Sequence, residues 1–183
     1  MKAILDTTTT VLEWKEPDAG HPHYELWAAG DLLATLVCET PSLDLAAVRT
    51  TEGDWTLRRS GFLKHAVLLR EAGSEVDLAL FHRGLMGGGY LRFTNDVTFH
   101  WRHEGLASAT WSFLGEGGEL LVSLQLEPAD DFRLGTHRVQ AEVQVTPAGH
   151  ATPRLPLLAA VGWYLILLHR QEVEAEAKEL GNL

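Results

Sequence analysis

The chain has a single cysteine, two methionines and 15 basic residues against 25 acidic ones in 183 positions. One cysteine excludes a disulfide framework and a Cys-rich zinc site, so the fold must be held by a hydrophobic core. Cys38, set among apolar neighbours in "TLVCET", reads as a small buried hydrophobe, and its solitary state suits a reducing, cytoplasmic compartment. A formal charge of -10 opposes non-specific binding to nucleic acid. No apolar run reaches the ~20 residues that a membrane-spanning helix needs. The start, "MKAILDTTTT", lacks the apolar stretch of a signal peptide. Missing too are the G-K-[ST] ending of a phosphate-binding loop, a G-x-S-x-G elbow, and any Cys/His/carboxylate spacing diagnostic of a metal. No cofactor and no catalytic residue is therefore assigned, and the expectation is a protein that is not an enzyme.

What is present is alternation. Up to about residue 145 the chain carries the two-residue period of half-buried strands, punctuated by Gly, Asp, Asn and Pro. In "HRVQAEVQV", Val139, Ala141, Val143 and Val145 alternate with Gln140, Glu142 and Gln144. A dozen strands are predicted near 9–14, 23–29, 32–38, 44–50, 54–59, 62–70, 75–82, 89–94, 97–103, 107–113, 119–126 and 137–145. Turns are expected at Gly30–Asp31, at Asn95–Asp96 and around Gly115–Gly118. No linker divides the series, so residues 1–183 read as one domain.

After residue 145 the character changes. Pro156 suits the first turn of a helix and Gly181 its end, and between them "LLAAVGWYLILLHRQEVEAEAKEL" has no breaker. The central helix, about 156–170, is apolar on every side through Leu168, which leaves a membrane or the interior of a protein as its home. The uncharged stretch 155–168 spans about 21 Å at 1.5 Å per residue, short of the ~30 Å hydrocarbon core. A buried helix is the consequence. Enclosing it on all faces requires a closed wall, which twelve antiparallel strands with one apolar face supply. The expected fold is thus mainly β, a closed antiparallel barrel of about twelve strands around a C-terminal helix. Leu157, Leu158, Val161, Gly162, Trp163, Tyr164, Leu165 and Leu168 form its axis, with Gly162 serving a close approach to a strand and Trp163 and Tyr164 seeking partners for their N–H and O–H groups. The acidic continuation to about residue 180, with Val173, Ala177 and Leu180 at helical spacing, either packs on the rim or docks a second copy or another protein.

This succession, carried by "GDLLATLVCE", "GDWTLRRSGFLKHAVLLRE", "GGGYLRFTNDVTFHWRH" and "LPLLAAVGWYLILLHRQ", resembles the tubby-like C-terminal domain superfamily, which includes the phospholipid scramblases and the plant LURP-one-related proteins. Within it the chain looks most like small bacterial members of unassigned function. The resemblance covers nearly the whole chain and implies the barrel just described. For the better-known members it also implies association with phospholipid or phosphoinositide, but the chain has no Cys-rich segment and is acidic overall, and no ligand residue carries over.

Charge is unevenly spread. Residues 58–103 hold Arg58, Arg59, Lys64, Arg70, Arg83, Arg92 and Arg102 against Glu71, Glu75, Asp77 and Asp96, leaving 8 basic and 21 acidic residues elsewhere. A basic face for an anionic ligand or lipid headgroup is the candidate site. The histidine pairs His21/His23 and His100/His103 read as surface or rim residues, the first facing one side of an extended chain and the second opposite sides. "RGLMGGGYLRF" reads as a glycine-rich turn at the rim, and the adjacent Asp130 and Asp131 as solvated loop residues. The function expected is a non-catalytic module that binds a protein partner or an anionic small ligand through its outer surface. The alternative is a peripheral phospholipid-binding protein.

Overall fold

The structure, a computed structural model, describes residues 1–18, 21–40, 42–60, 66–84, 87–104, 109–127 and 139–181. Twelve strands succeed one another: β1 (Val11–Lys15), β2 (His23–Ala28), β3 (Asp31–Cys38), β4 (Leu45–Thr50), β5 (Asp54–Ser60), β6 (Ala66–Glu71), β7 (Asp77–Arg83), β8 (Gly89–Phe93), β9 (Thr98–His103), β10 (Thr110–Leu114), β11 (Leu120–Leu126) and β12 (Gln140–Val145). Each pairs antiparallel with its sequence neighbour, and β1 closes on β12, so the sheet is a closed barrel. A short helix α1 (Pro147–His150) turns the chain inward, and α2 (Leu155–Gly181) runs up the axis.

Alternation drives closure. Leu12, Trp14, Leu26, Leu36, Val48, Leu57 and Leu69 point inward and are at most 1 % exposed. The outward positions between them include Glu13, Glu25, Arg49, Arg58, Arg70, Glu142 and Gln144. A polar outside around an apolar inside is the reverse of a barrel that faces lipid with an apolar belt. No helix among the described residues is long and apolar enough to cross a membrane.

The helix is fully enclosed over its first half. From Leu155 to Leu168 every residue is buried, and Val161, Trp163, Tyr164 and Ile166 have no exposed surface. Trp163 stacks on Trp14 of β1 with centroids 5.8 Å apart and meets Tyr24 edge-on at 5.5 Å. Gly162 serves the close approach expected of it: a Cβ there would stand 2.9 Å from Leu124 Cδ1 and 3.2 Å from Trp101 Cζ3. The two polar aromatics differ. Tyr164 donates its hydroxyl to the Leu43 carbonyl, whereas Trp163 Nε1 is buried with no hydrogen-bond partner among the described residues, because its ring lies flat on Trp14 in an apolar layer.

The barrel has two mouths. At the lower one, where α2 starts, strands are joined by turns. The β2–β3 turn falls one residue earlier than expected, with Ala29 (φ 49°) and Gly30 (φ 88°) both left-handed, the backbone that a two-residue hairpin with the right twist requires. Asp96 takes the same backbone region (φ 64°) in the expected β8–β9 turn. Arg154 lies over the Phe93 ring, 4.5 Å from its centre. At the upper mouth α2 leaves the barrel. From Val173 to Leu180 every residue is exposed, so this part of the tail does not pack on the rim.

Candidate functional site

The inward rows of several strands change chemistry in their last layer. On β5 Trp55 and Leu57 point inward and are buried, and the next inward residue is Arg59. On β7 the row Ala79, Phe81 continues into Arg83, and on β9 the row Phe99, Trp101 continues into His103. After Leu12 and Trp14 of β1 comes Glu16, 7 % exposed, whose carboxylate accepts the Val139 N–H at 3.1 Å. The upper mouth is therefore lined by ionisable side chains set on an apolar floor.

The helix completes this layer with His169 and Glu172. Arg59 Nη2 donates to Glu172 Oε1 at 3.3 Å, and Arg83 Nη1 donates to Glu172 Oε2. Two guanidinium groups thus converge on one carboxylate, leaving one positive charge in excess. Arg59 is the more sheltered, its side chain 13 % exposed, and its Nε is buried with no hydrogen-bond partner among the described residues. Val67, Phe81, Trp101, Trp111, Leu165 and Leu168 form the floor of a cavity of about 30 Å³ beneath this cluster, room for roughly one water molecule. His169 stands on its edge, its ring centre 5.7 Å from Trp111 and 6.1 Å from His103, which itself stacks on Trp111 at 4.6 Å. Burial, then the neighbouring Arg83 and His103, hold the His169 imidazole below its ordinary pKa and favour the neutral ring.

A second cleft, about 260 Å³, opens on the other side of the emerging helix between Glu16, His21, Tyr24 and Arg170. Burial, with Glu16 second, raises the Tyr24 pKa, so this phenol stays protonated. Its cation is partly engaged, since Arg170 reaches Glu174 at 3.4 Å. At the lower mouth a wide cleft of about 680 Å³ lies between Glu52, Asp54, Glu71 and Arg154. Glu52 is occupied there by the Leu5 N–H and the Thr51 hydroxyl.

The seven basic residues singled out in the sequence do not share one face. Arg58 and Arg59 are adjacent and therefore point to opposite sides of β5, Arg58 outward and exposed. Arg70, on the outer wall, is paired with Asp77 at 2.7 Å and Glu75 at 3.2 Å, and Arg92 with Asp96 at 2.7 Å. These pairs use three of the four acidic residues in that stretch. Arg102 is exposed on the outer wall of β9. Among the described residues only Arg59 and Arg83 of the seven are brought together by a shared partner, while Lys64, Asp130 and Asp131 lie outside the described residues. His169, Glu172 and Glu16 are not among the residues the sequence points to, whereas His103, expected as a surface or rim residue, does lie at the rim. A usable signal existed, namely the inward parity of each strand carried on to its end. Of the glycine-rich stretch, Gly84 and Gly87–Gly89 sit at the upper rim between β7 and β8, where a Cβ at Gly89 would stand 2.4 Å from the His82 carbonyl oxygen, while Leu85 and Met86 lie outside the described residues. Among the described residues no three His, Cys, Asp or Glu side chains group closely enough to hold a metal ion.

No family model matches the chain, and no curated protein and no solved structure matches it significantly.

Proposed function

We propose that this chain is a non-catalytic binding module of tubby-like build, working in the cytoplasm, whose recognition site is the upper mouth. There it receives an anionic group carried by a small ligand or by a partner protein. The observation that carries the reading is the convergence of Arg59 and Arg83 on one carboxylate. Guanidinium groups are planar, permanently charged forks that match oxyanions, and a sheltered wall strengthens such a contact. Among the described residues lining the cavity none is Ser, Thr or Cys, and the two arginines suit binding of an anion more than nucleophilic chemistry. The twelve-strand barrel closed around a terminal helix supports the tubby-like part of the proposal.

The test is a titration with small anions, succinate and inorganic phosphate, followed by tryptophan fluorescence, since Trp101 and Trp111 line the cavity. Saturable binding that weakens with salt and is lost in Arg83→Gln is the expected result. Co-sedimentation with phosphatidylglycerol vesicles, in the absence of small-anion binding, would instead favour the peripheral-lipid role, with the exposed Arg58 and Arg102 as contacts. Silence in both experiments would overturn the anion-binding reading.

A further inference from the structure

We infer that Glu172 is a built-in competitor at this mouth: its carboxylate holds the place of a ligand carboxylate, and a ligand binds by displacing it. The inference rests on the reading of Arg59 and Arg83 as an anion site and goes further in naming the ligand group and the gate.

Three observations converge on it. Glu172 is a poor fit to its own site. It touches each arginine through a single nitrogen, at 3.3 Å on Arg59, and leaves the buried Arg59 Nε–H without an acceptor among the described residues. The tethered Glu172 carboxylate does not meet the Nε/Nη2 edge of Arg59, whereas an untethered one can take both donors side by side, the strong geometry for this pair. An orphaned buried donor is costly, so an occupant that satisfies it gains over one that does not. Second, the chemistry already present identifies the group that suits the site, since the structure itself places a carboxylate between the two guanidinium groups. Third, the segment that carries Glu172 can yield. From the next residue, Val173, to Leu180 the helix is exposed throughout, so moving the Glu172 side chain outward disturbs no packed surface beyond it.

The displacement is a simple exchange of ion pairs. No covalent bond forms or breaks, and a ligand carboxylate takes the place of the Glu172 charge at the mouth one for one. Glu172, once released, is free to extend into solvent alongside Glu176, and the tail presents one more negative charge when the site is filled.

The experiment compares succinate binding to the full chain, to Glu172→Gln and to the double variant Glu172→Gln/Arg83→Gln, each first shown by circular dichroism to be folded. Removing the competitor is expected to tighten succinate by about tenfold or more, the scale of one charge-assisted hydrogen bond, and the double variant is expected to lose that binding. Hydrogen exchange of the wild-type amides 171–180 is expected to quicken when succinate saturates the protein. Equal, Arg83-dependent affinity in wild type and Glu172→Gln, with unchanged tail exchange, would leave the anion site standing and overturn the competitor. Absence of Arg83-dependent binding in both would overturn the site itself, and the competitor with it.

Discussion

Tyr164 shows how a single side chain ties the axis to the wall. Its hydroxyl donates to the carbonyl of Leu43, a leucine held at φ 55°, a backbone region that costs a non-glycine residue about 1–2 kcal/mol. Burial raises the phenol's pKa, so the hydroxyl stays protonated and able to donate at neutral pH. Tyr164→Phe leaves the carbonyl without this donor and is expected to cost about 2 kcal/mol in urea unfolding. Gly162→Val forces methyl groups against Leu124 and Trp101 and is expected to cost about 3 kcal/mol in the same assay. His169 sets a pH dependence. Its folded pKa lies below its unfolded value of about 6.5, so the unfolded chain binds the extra proton as pH falls from about 6.5 toward the folded value. The stability from keeping this ring neutral is whole above about pH 6.5 and is lost across that window. Melting temperatures between pH 7.5 and 5 should therefore fall more steeply for wild type than for His169→Gln.

At the scale of the element, α2 is one helix with two environments. Its first half resists any charge: Trp163→Asp puts a carboxylate where no surface is exposed, and the penalty exceeds the 5–15 kcal/mol margin of a typical domain once the lost indole packing is added. That variant is expected to be recovered only as insoluble protein. The second half tolerates change. Val173 and Leu180 are 50 % and 72 % exposed, so replacing either with serine should leave the melting temperature within about 1 °C. This division was legible in the residues, because 155–168 holds no charge and half of 171–180 is charged. The twelve strands were legible for the same kind of reason, since the inward rows are apolar and most outward rows carry polar or charged residues, although β6 and β7 also place Leu68, Leu78 and Leu80 outside. The upper mouth was not. Arg59, Arg83, His103 and Glu16 look like ordinary polar strand ends until closure turns the inward rows toward one axis, and Glu172 looks like one more acid in an acidic tail. Counting charge along the chain grouped Arg58 with Arg59, although one pleat separates them onto opposite faces.

For the whole molecule the decisive feature is closure. β1 pairs with β12 from Val11↔Gln144 to Lys15↔Gln140, and that seam removes the two edges that an open sheet of twelve strands would expose. β1 also supplies Trp14, the ring on which Trp163 stacks. The wall and the axis therefore depend on one another: opening the seam uncovers the helix, and without the helix the lumen has no filling. Such a structure has no stable half. Thermal or urea unfolding is expected to be a single transition, with far-UV circular dichroism of the sheet superimposing on the fluorescence of Trp14, Trp55, Trp101, Trp111 and Trp163, all of them buried. Deleting residues 1–15 should abolish that transition and yield aggregates by size-exclusion chromatography, because the β2 and β12 edges are then free to pair with other chains. A folded, monomeric deletion product, or a fluorescence midpoint displaced from the circular dichroism midpoint, would mean that the helix and the wall hold together independently, and mutual dependence would have to be abandoned.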